Sequence, residues 1–185
     1  MYEFPGVTFH PWVGAHYGRE SRFGVRLLVL GESHYHEDPE FSDCRFTQEV
    51  VRNLGQKKRH RFFTVIAKVL CGSEDRIEDD KRSEIWEHTA FYNFVQSVVV
   101  PGPRIPPTFP QWCAAQTPFE TVLQGLKPDA VLMLGWRLWE HVLHQPENVT
   151  FGVLPHPTNP QFRYEDAIPA FKKLLADTKL RVAPE

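Results

Sequence analysis

The sequence lacks most of what would make a metal-stapled, secreted or membrane-bound chain. Its three cysteines, Cys44, Cys71 and Cys113, are odd in number and far apart, with no Cys-x-x-Cys pair. Neither a zinc knuckle nor an iron–sulfur cluster finds its usual ligands, so ordinary reduced thiols of an intracellular protein are expected. No apolar run approaches the roughly 20 residues of a membrane span. The start, MYEFPGVTFHPW, has no basic stretch followed by an apolar one, so it does not read as a signal peptide. A cytoplasmic protein without membrane contact is expected. Net charge is scarce as well: 21 Lys and Arg against 23 Asp and Glu leave −2. Such a surface does not attract nucleic acid as a whole, and phosphate binding would have to come from a local basic patch.

What the sequence does have is apolar and aromatic material, 42% and 13% of 185 residues. That suffices for one sizeable core without staples, and a single domain over 1–185 is expected. Four apolar runs read as strands: Val25 to Leu30, Thr89 to Val95, Ala130 to Leu134 and Val149 to Leu154. Because the runs are continuous rather than alternating, strands covered on both faces are predicted, as in a parallel sheet. Helical spacing falls between them, over Thr47 to Leu54, Arg61 to Leu70, Trp136 to Leu143 and Tyr164 to Ala176. Thr117 to Leu126 opens with a Thr N-cap, a proline at the first position and Glu120 three residues on, a capping-box pattern. Pro101 to Pro110 holds five prolines and predicts a stiff loop. The fold class is α/β: a three-layer α/β/α arrangement with a short, mainly four-stranded parallel sheet. Ligands bind such sheets in the crevice beyond the strands' carboxyl ends.

Three segments fall at those ends: Gly31 to His36 (GESHYH), Phe91 to Phe94 (FYNF) and Leu154 to Pro160 (LPHPTNP). Gly31 permits a tight turn and close approach to backbone amides. Prolines on either side of His156 stiffen its loop, so the imidazole would be held in place. Asn93, in an apolar strand, is costly to bury unless its amide is bonded; it either holds a turn or reads a ligand.

The order of these segments resembles that of the uracil-DNA glycosylase superfamily. Its members carry a first motif such as Gly-Gln-Asp-Pro-Tyr-His or Gly-Glu-Ala-Pro-Gly, a base-reading Asn after strand two, and a late His-Pro-Ser. FYNFVQSVVVPGPRIPP and PFETVLQGLKPDAVLMLGWRLWEHV are similar to segments of the iron–sulfur-containing members, and the likeness spans roughly residues 25 to 176. The resemblance implies that Asn93 bonds the edge of a flipped base and that His156 donates to the base O2 as the glycosidic bond breaks. It implies a stacking face from Phe62 or Phe63, and a Tyr35 that crowds the pyrimidine C5 position and rejects thymine. Backbone amides around Gly31, Glu32 and Ser33, and from His156 to Thr158, would bind phosphate or carbonyl oxygen. The chain departs from the family in having Ser33 where active members carry the water-positioning Asp or Asn, His34 in place of proline, and no cluster cysteines. Ser33 or His34, with backbone carbonyls, would hold the attacking water.

Arg52, Lys57, Lys58, Arg59, His60 and Arg61 form the one dense basic run, either a solvated helix end or a phosphate clamp. The acidic run Glu74 to Glu84 beside it would repel DNA. His34, His36, Glu37 and Asp38 cluster without an evident third metal ligand, and Ser33 lacks a GxSxG elbow, so metal and serine-hydrolase chemistry are the weaker readings. The expected activity is hydrolysis of the N-glycosidic bond of uracil or another damaged base in DNA, single-stranded or already damaged, by a monomer with no cofactor and no metal. The alternatives are an inactive nucleobase or nucleic-acid binding module of the same fold, and a hydrolase of small nucleoside-type molecules.

Overall fold

The computed structural model describes residues 2–99 and 105–183. All four predicted strands are present and mutually parallel. They are β2 (Leu27–Gly31), β4 (Ala90–Asn93), β6 (Ala130–Leu134) and β7 (Thr150–Leu154), numbered in chain order. A two-residue strand, β1 (Trp12–Val13), adds antiparallel to β4, giving the order β1-β4-β2-β6-β7. So short an edge strand leaves no periodicity to read, and it escapes the sequence pattern. Pairing of β2 with β4 sets Gly31 opposite Asn93. A second small sheet joins β3 (His34–Tyr35) to β5 (Val98–Val99) in parallel just past those strand ends.

Each face of the sheet has its own core. On one, Leu27, Val29, Phe91 and Leu132 pack against α2 (Arg61–Cys71), α3 (Asp79–Glu87) and α7 (Tyr164–Val182). On the other, Leu28, Leu30, Tyr92 and Met133 meet α4 (Phe109–Ala114), α5 (Gln116–Leu126) and α6 (Trp136–His141). The middle strands β2, β4 and β6 are buried at every residue. Coverage on both sides explains their uninterrupted apolar runs.

The helices differ from the sequence reading at their ends. The expected N-cap at Thr117 is corrected: α5 begins at Gln116 with Ala115 as its cap, and the capping box belongs to α4, between Thr108 and Gln111. The first-turn N–H groups of a helix have no intrahelical partner, so Pro118 fits without an earlier cap. Pro110, expected in the proline loop, lies in the first turn of α4; residues 101–104 of that loop fall outside the described residues. The predicted helix Thr47 to Leu54 is α1 (Phe46–Val50), which widens into a π-helical stretch over Val51–Lys57.

That stretch ends on an unusual cap. Arg82, from the acidic run, is fully buried. Its guanidinium donates to the carbonyls of Gly55, Lys58 (2.9 Å) and Gln56 (2.8 Å) and to Asp79 (3.3 Å). Helix-end carbonyls lack intrahelical donors and carry partial negative charge, which a cation there satisfies. Arg82→Met should lower the unfolding free energy by about 3 kcal/mol in urea titration, since three carbonyls, one buried and two partly buried, lose their donor at about 1 kcal/mol each. A change below about 0.5 kcal/mol, the range of ordinary surface substitutions, would contradict this role.

Candidate functional site

The three motif segments meet at the carboxyl ends of neighbouring parallel strands. The chain leaving β4 is zipped to the chain leaving β2, with the Phe94 N–H donating to the Gly31 carbonyl and the Val95 N–H to Glu32, both at 2.9 Å. Gly31 is required there because a Cβ would collide with the Asn93 carboxamide and crowd Phe91 at 3.1 Å. Gly135, which ends β6 with φ of 125°, turns the chain into α6 in a conformation that favours glycine. A Cβ on it would lie 3.8 Å from that of His156.

Asn93 is buried, and its amide Nδ2 donates to the Ser33 carbonyl (3.2 Å) and to His34 Nδ1 (3.1 Å). A neutral imidazole has one donor nitrogen, so the His34 proton sits on Nε2 and is given to Thr47 Oγ1 at 2.9 Å. Phe9 and Phe46 pack on the ring at 5.1 and 4.8 Å between centroids. Burial pulls the His34 pKa down to about 3, so the ring is neutral at ordinary pH. With both nitrogens bonded inside the protein, His34 holds the loop and has no nitrogen left for a water. Of the two roles open to Asn93, turn-holding is the one its Nδ2 performs.

His156 is set differently. The Thr158 N–H donates to its Nδ1 at 3.3 Å and the Thr158 hydroxyl lies 2.9 Å from the same atom. Nδ1 is therefore an acceptor, and the ring proton belongs to Nε2, which has no partner among the described residues. Thr158, expected at DNA phosphate, orients this imidazole from an exposed position. Burial lowers the His156 pKa; Glu32 acts to raise it and Arg137 to lower it. The ring is thus a neutral donor.

Phe62 stands between the motifs, its ring 5.4 Å from that of His156 and 6.3 Å from Phe91. It is half-buried, whereas Phe63 is a core residue packed on Trp86 and Phe91 at 5.2 and 5.5 Å. Only Phe62 keeps a face near the site. Tyr35 is 39% exposed at the rim. Both oxygens of Glu32 are taken by Arg137, at 2.7 and 2.8 Å. Arg137 also lies within electrostatic reach of Tyr35 and His156. The Ser33 hydroxyl is buried with no partner among the described residues.

The basic run divides. Arg59 pairs with Asp79 (2.8 Å) and the Ile77 carbonyl (3.0 Å), and Arg52 lies over the Trp12 ring. Lys57, Lys58 and Arg61 are exposed, with Arg61 opening the helix that carries Phe62. Among the described residues no group of three or more His, Cys, Asp or Glu side chains is assembled for a metal ion, and no helix is long and apolar enough to cross a membrane.

Sequence reading missed Arg137 and Thr47. Arg137 carried a usable signal, since it lies two residues past the glycine that ends β6, where ligand-facing residues gather. Thr47 carried none, because a hydroxyl on a helix says nothing of a histidine 13 residues earlier. No protein-family model matches the chain, and no curated protein matches it at a significant level.

Protonation of His34 links this site to stability. The folded state holds His34 neutral down to about pH 3, whereas an unfolded histidine takes up a proton below about 6.5. Its stabilising contribution is full above about 6.5 and is lost as pH falls, by about 1.4 kcal/mol per unit. Unfolding free energies of the wild type should decline between about pH 6.5 and 4.5 more steeply than those of His34→Gln. Parallel pH profiles for the two proteins would show that His34 is not held this way.

Proposed function

We propose that the chain is a uracil-DNA glycosylase-like hydrolase that cleaves the N-glycosidic bond of uracil or another damaged base in DNA. The observation that carries this reading is His156. A neutral imidazole, fixed by Thr158 and flanking prolines, offers its Nε2–H beside a half-buried aromatic ring at the carboxyl end of a parallel sheet. The order of GESHYH, FYNF and HPT along the chain supports the same assignment.

In this mechanism the target base is extruded, at a cost of a few kcal/mol that is least for a damaged or single-stranded site. The base stacks on Phe62 with Tyr35 toward its C5 edge. As the bond from C1′ to the base nitrogen breaks, both electrons leave with the base and negative charge grows on O2. The His156 Nε2–H donates to that oxygen, and one such preorganised donor is worth about 3 kcal/mol. Water adds to C1′ and the proton it releases neutralises the departing base anion, leaving an abasic sugar and the free base. Backbone carbonyls at the strand ends would orient that water, since the Ser33 hydroxyl expected there is buried. Lys57, Lys58 and Arg61 would meet backbone phosphates.

Asn93 favours a second reading, in which the same pocket binds a nucleobase without cleaving it. Its Nδ2 is committed to Ser33 and His34, which leaves Oδ1 for a base edge, and no carboxylate stands at position 33 to support a cationic sugar.

Single-stranded oligonucleotides bearing uracil, hypoxanthine or xanthine separate the two. The glycosylase reading expects abasic sites with at least one of them, formed about 100-fold or more slowly by His156→Ala and more slowly by Phe62→Ala. Base-dependent binding without abasic product would support the binding module. Neither binding nor product with any of the three would contradict both.

A further inference from the structure

The opposite end of the sheet holds a cavity of about 690 Å³, within the range of small-ligand sites. It opens at the amino ends of β2, β6 and β7, a five-residue strand or about 17 Å from the motif loops. Arg19, Arg26, Lys127 and Arg181 line it against Asp129 and Glu120. Four cations facing two carboxylates leave a local surplus of positive charge in a chain whose net charge is −2.

The cations are held in place from behind. Asp129, whose side chain is only 3% exposed, accepts from Arg26 Nε (3.1 Å), a terminal Arg26 nitrogen (2.9 Å) and the Arg26 backbone (2.9 Å). Arg19 donates to it through Nε (3.3 Å) and a terminal nitrogen (2.8 Å). Arg181, reaching over from α7, donates to the Asp129 carbonyl (2.6 Å) and to Thr150 Oγ1 (3.0 Å). Burial by itself would raise the Asp129 pKa, but the bonds from Arg26 and Arg19 outweigh it and keep the carboxylate ionised. One cation would neutralise one carboxylate; here two arginines share it and a third is tied to its backbone. Each guanidinium is gripped along its Nε edge, and its other terminal nitrogen, Nη1, has no partner among the described residues. Lys127 joins them from a left-handed turn with φ of 47°. Preorganised guanidinium donors of this kind suit the oxygens of a phosphoryl group.

We propose that this cavity binds a small phosphorylated molecule, with Arg19, Arg26, Arg181 and Lys127 receiving its phosphoryl oxygens. The site is separate from the base pocket and does not depend on the glycosylase reading. Isothermal titration of the intact protein with inorganic phosphate, pyrophosphate and AMP tests it. Saturable binding of at least one is expected. Lys127→Asn, which keeps a residue tolerant of the left-handed turn, and Arg19→Gln at a half-exposed side chain should each weaken that binding about tenfold, the worth of one charge-assisted hydrogen bond. The thermal midpoint of Lys127→Asn should stay near wild type, and His156→Ala should bind as wild type does. The proposal is overturned if none of the three ligands saturates the protein, or if both cavity variants bind unchanged. It is equally overturned if only a labelled single-stranded oligonucleotide binds and Lys127→Asn abolishes that, since the cavity would then serve a nucleic-acid backbone.

Discussion

A short chain of buried hydrogen bonds, from Asn93 Nδ2 to His34 Nδ1 and from His34 Nε2 to Thr47, ties a strand end, a loop and a helix together. The loop is the one that presents Glu32, Ser33 and Tyr35. Besides that chain of bonds, the segment after β2 is tied by the Phe94 and Val95 backbone bonds, the Asn93 bond to the Ser33 carbonyl, the Glu32–Arg137 pair and the two-residue pairing of β3 with β5. The link works only while His34 is neutral, because its Nδ1 must accept. Burial among Phe9, Phe46 and the Asn93 amide enforces that state, since a charge in such surroundings is strongly penalised. A histidine thus gives this loop its rigidity through hydrogen bonding.

The two histidines of the motif loops therefore play opposite parts. His34 spends both nitrogens on the interior. His156 spends one on Thr158 and keeps the other as a donor. Both are neutral for the same reason, burial, yet only His156 has a proton to offer at the rim. A neutral donor suits a leaving group that gains negative charge, because the donor does not start from an ion pair that must be broken first. Glu32 and Arg137 neutralise one another beside it, so neither imposes a full charge on the imidazole.

Much of this arrangement was legible in the sequence. The four parallel strands stand out because strands covered on both faces must be apolar throughout, and β6 matches its run residue for residue. Glycine at Gly31 and Gly135 and proline around His156 marked the strand ends for steric reasons that hold in any context. What was hidden depended on partners distant in sequence. Arg82 looks like part of a solvated acidic run and is instead an interior cap, because the carbonyls it serves lie 24 to 27 residues earlier. The choice between Phe62 and Phe63 turns on which face of α2 meets Trp86, and His34 could not be told from a catalytic residue until Thr47 and Asn93 were seen around it. The Asp129 cluster went unread for the same cause, since Arg19 and Arg26 precede β2 while Asp129 precedes β6 and Arg181 lies at the end of α7.

The central claim is that Phe62, Tyr35 and His156 border one space able to hold a nucleobase. A crystal structure of the protein soaked with free uracil tests it most directly. The account predicts a base stacked on Phe62, with O2 within about 3.2 Å of His156 Nε2. A base bound elsewhere, or a Phe62 ring that fills the space and admits nothing, would contradict it.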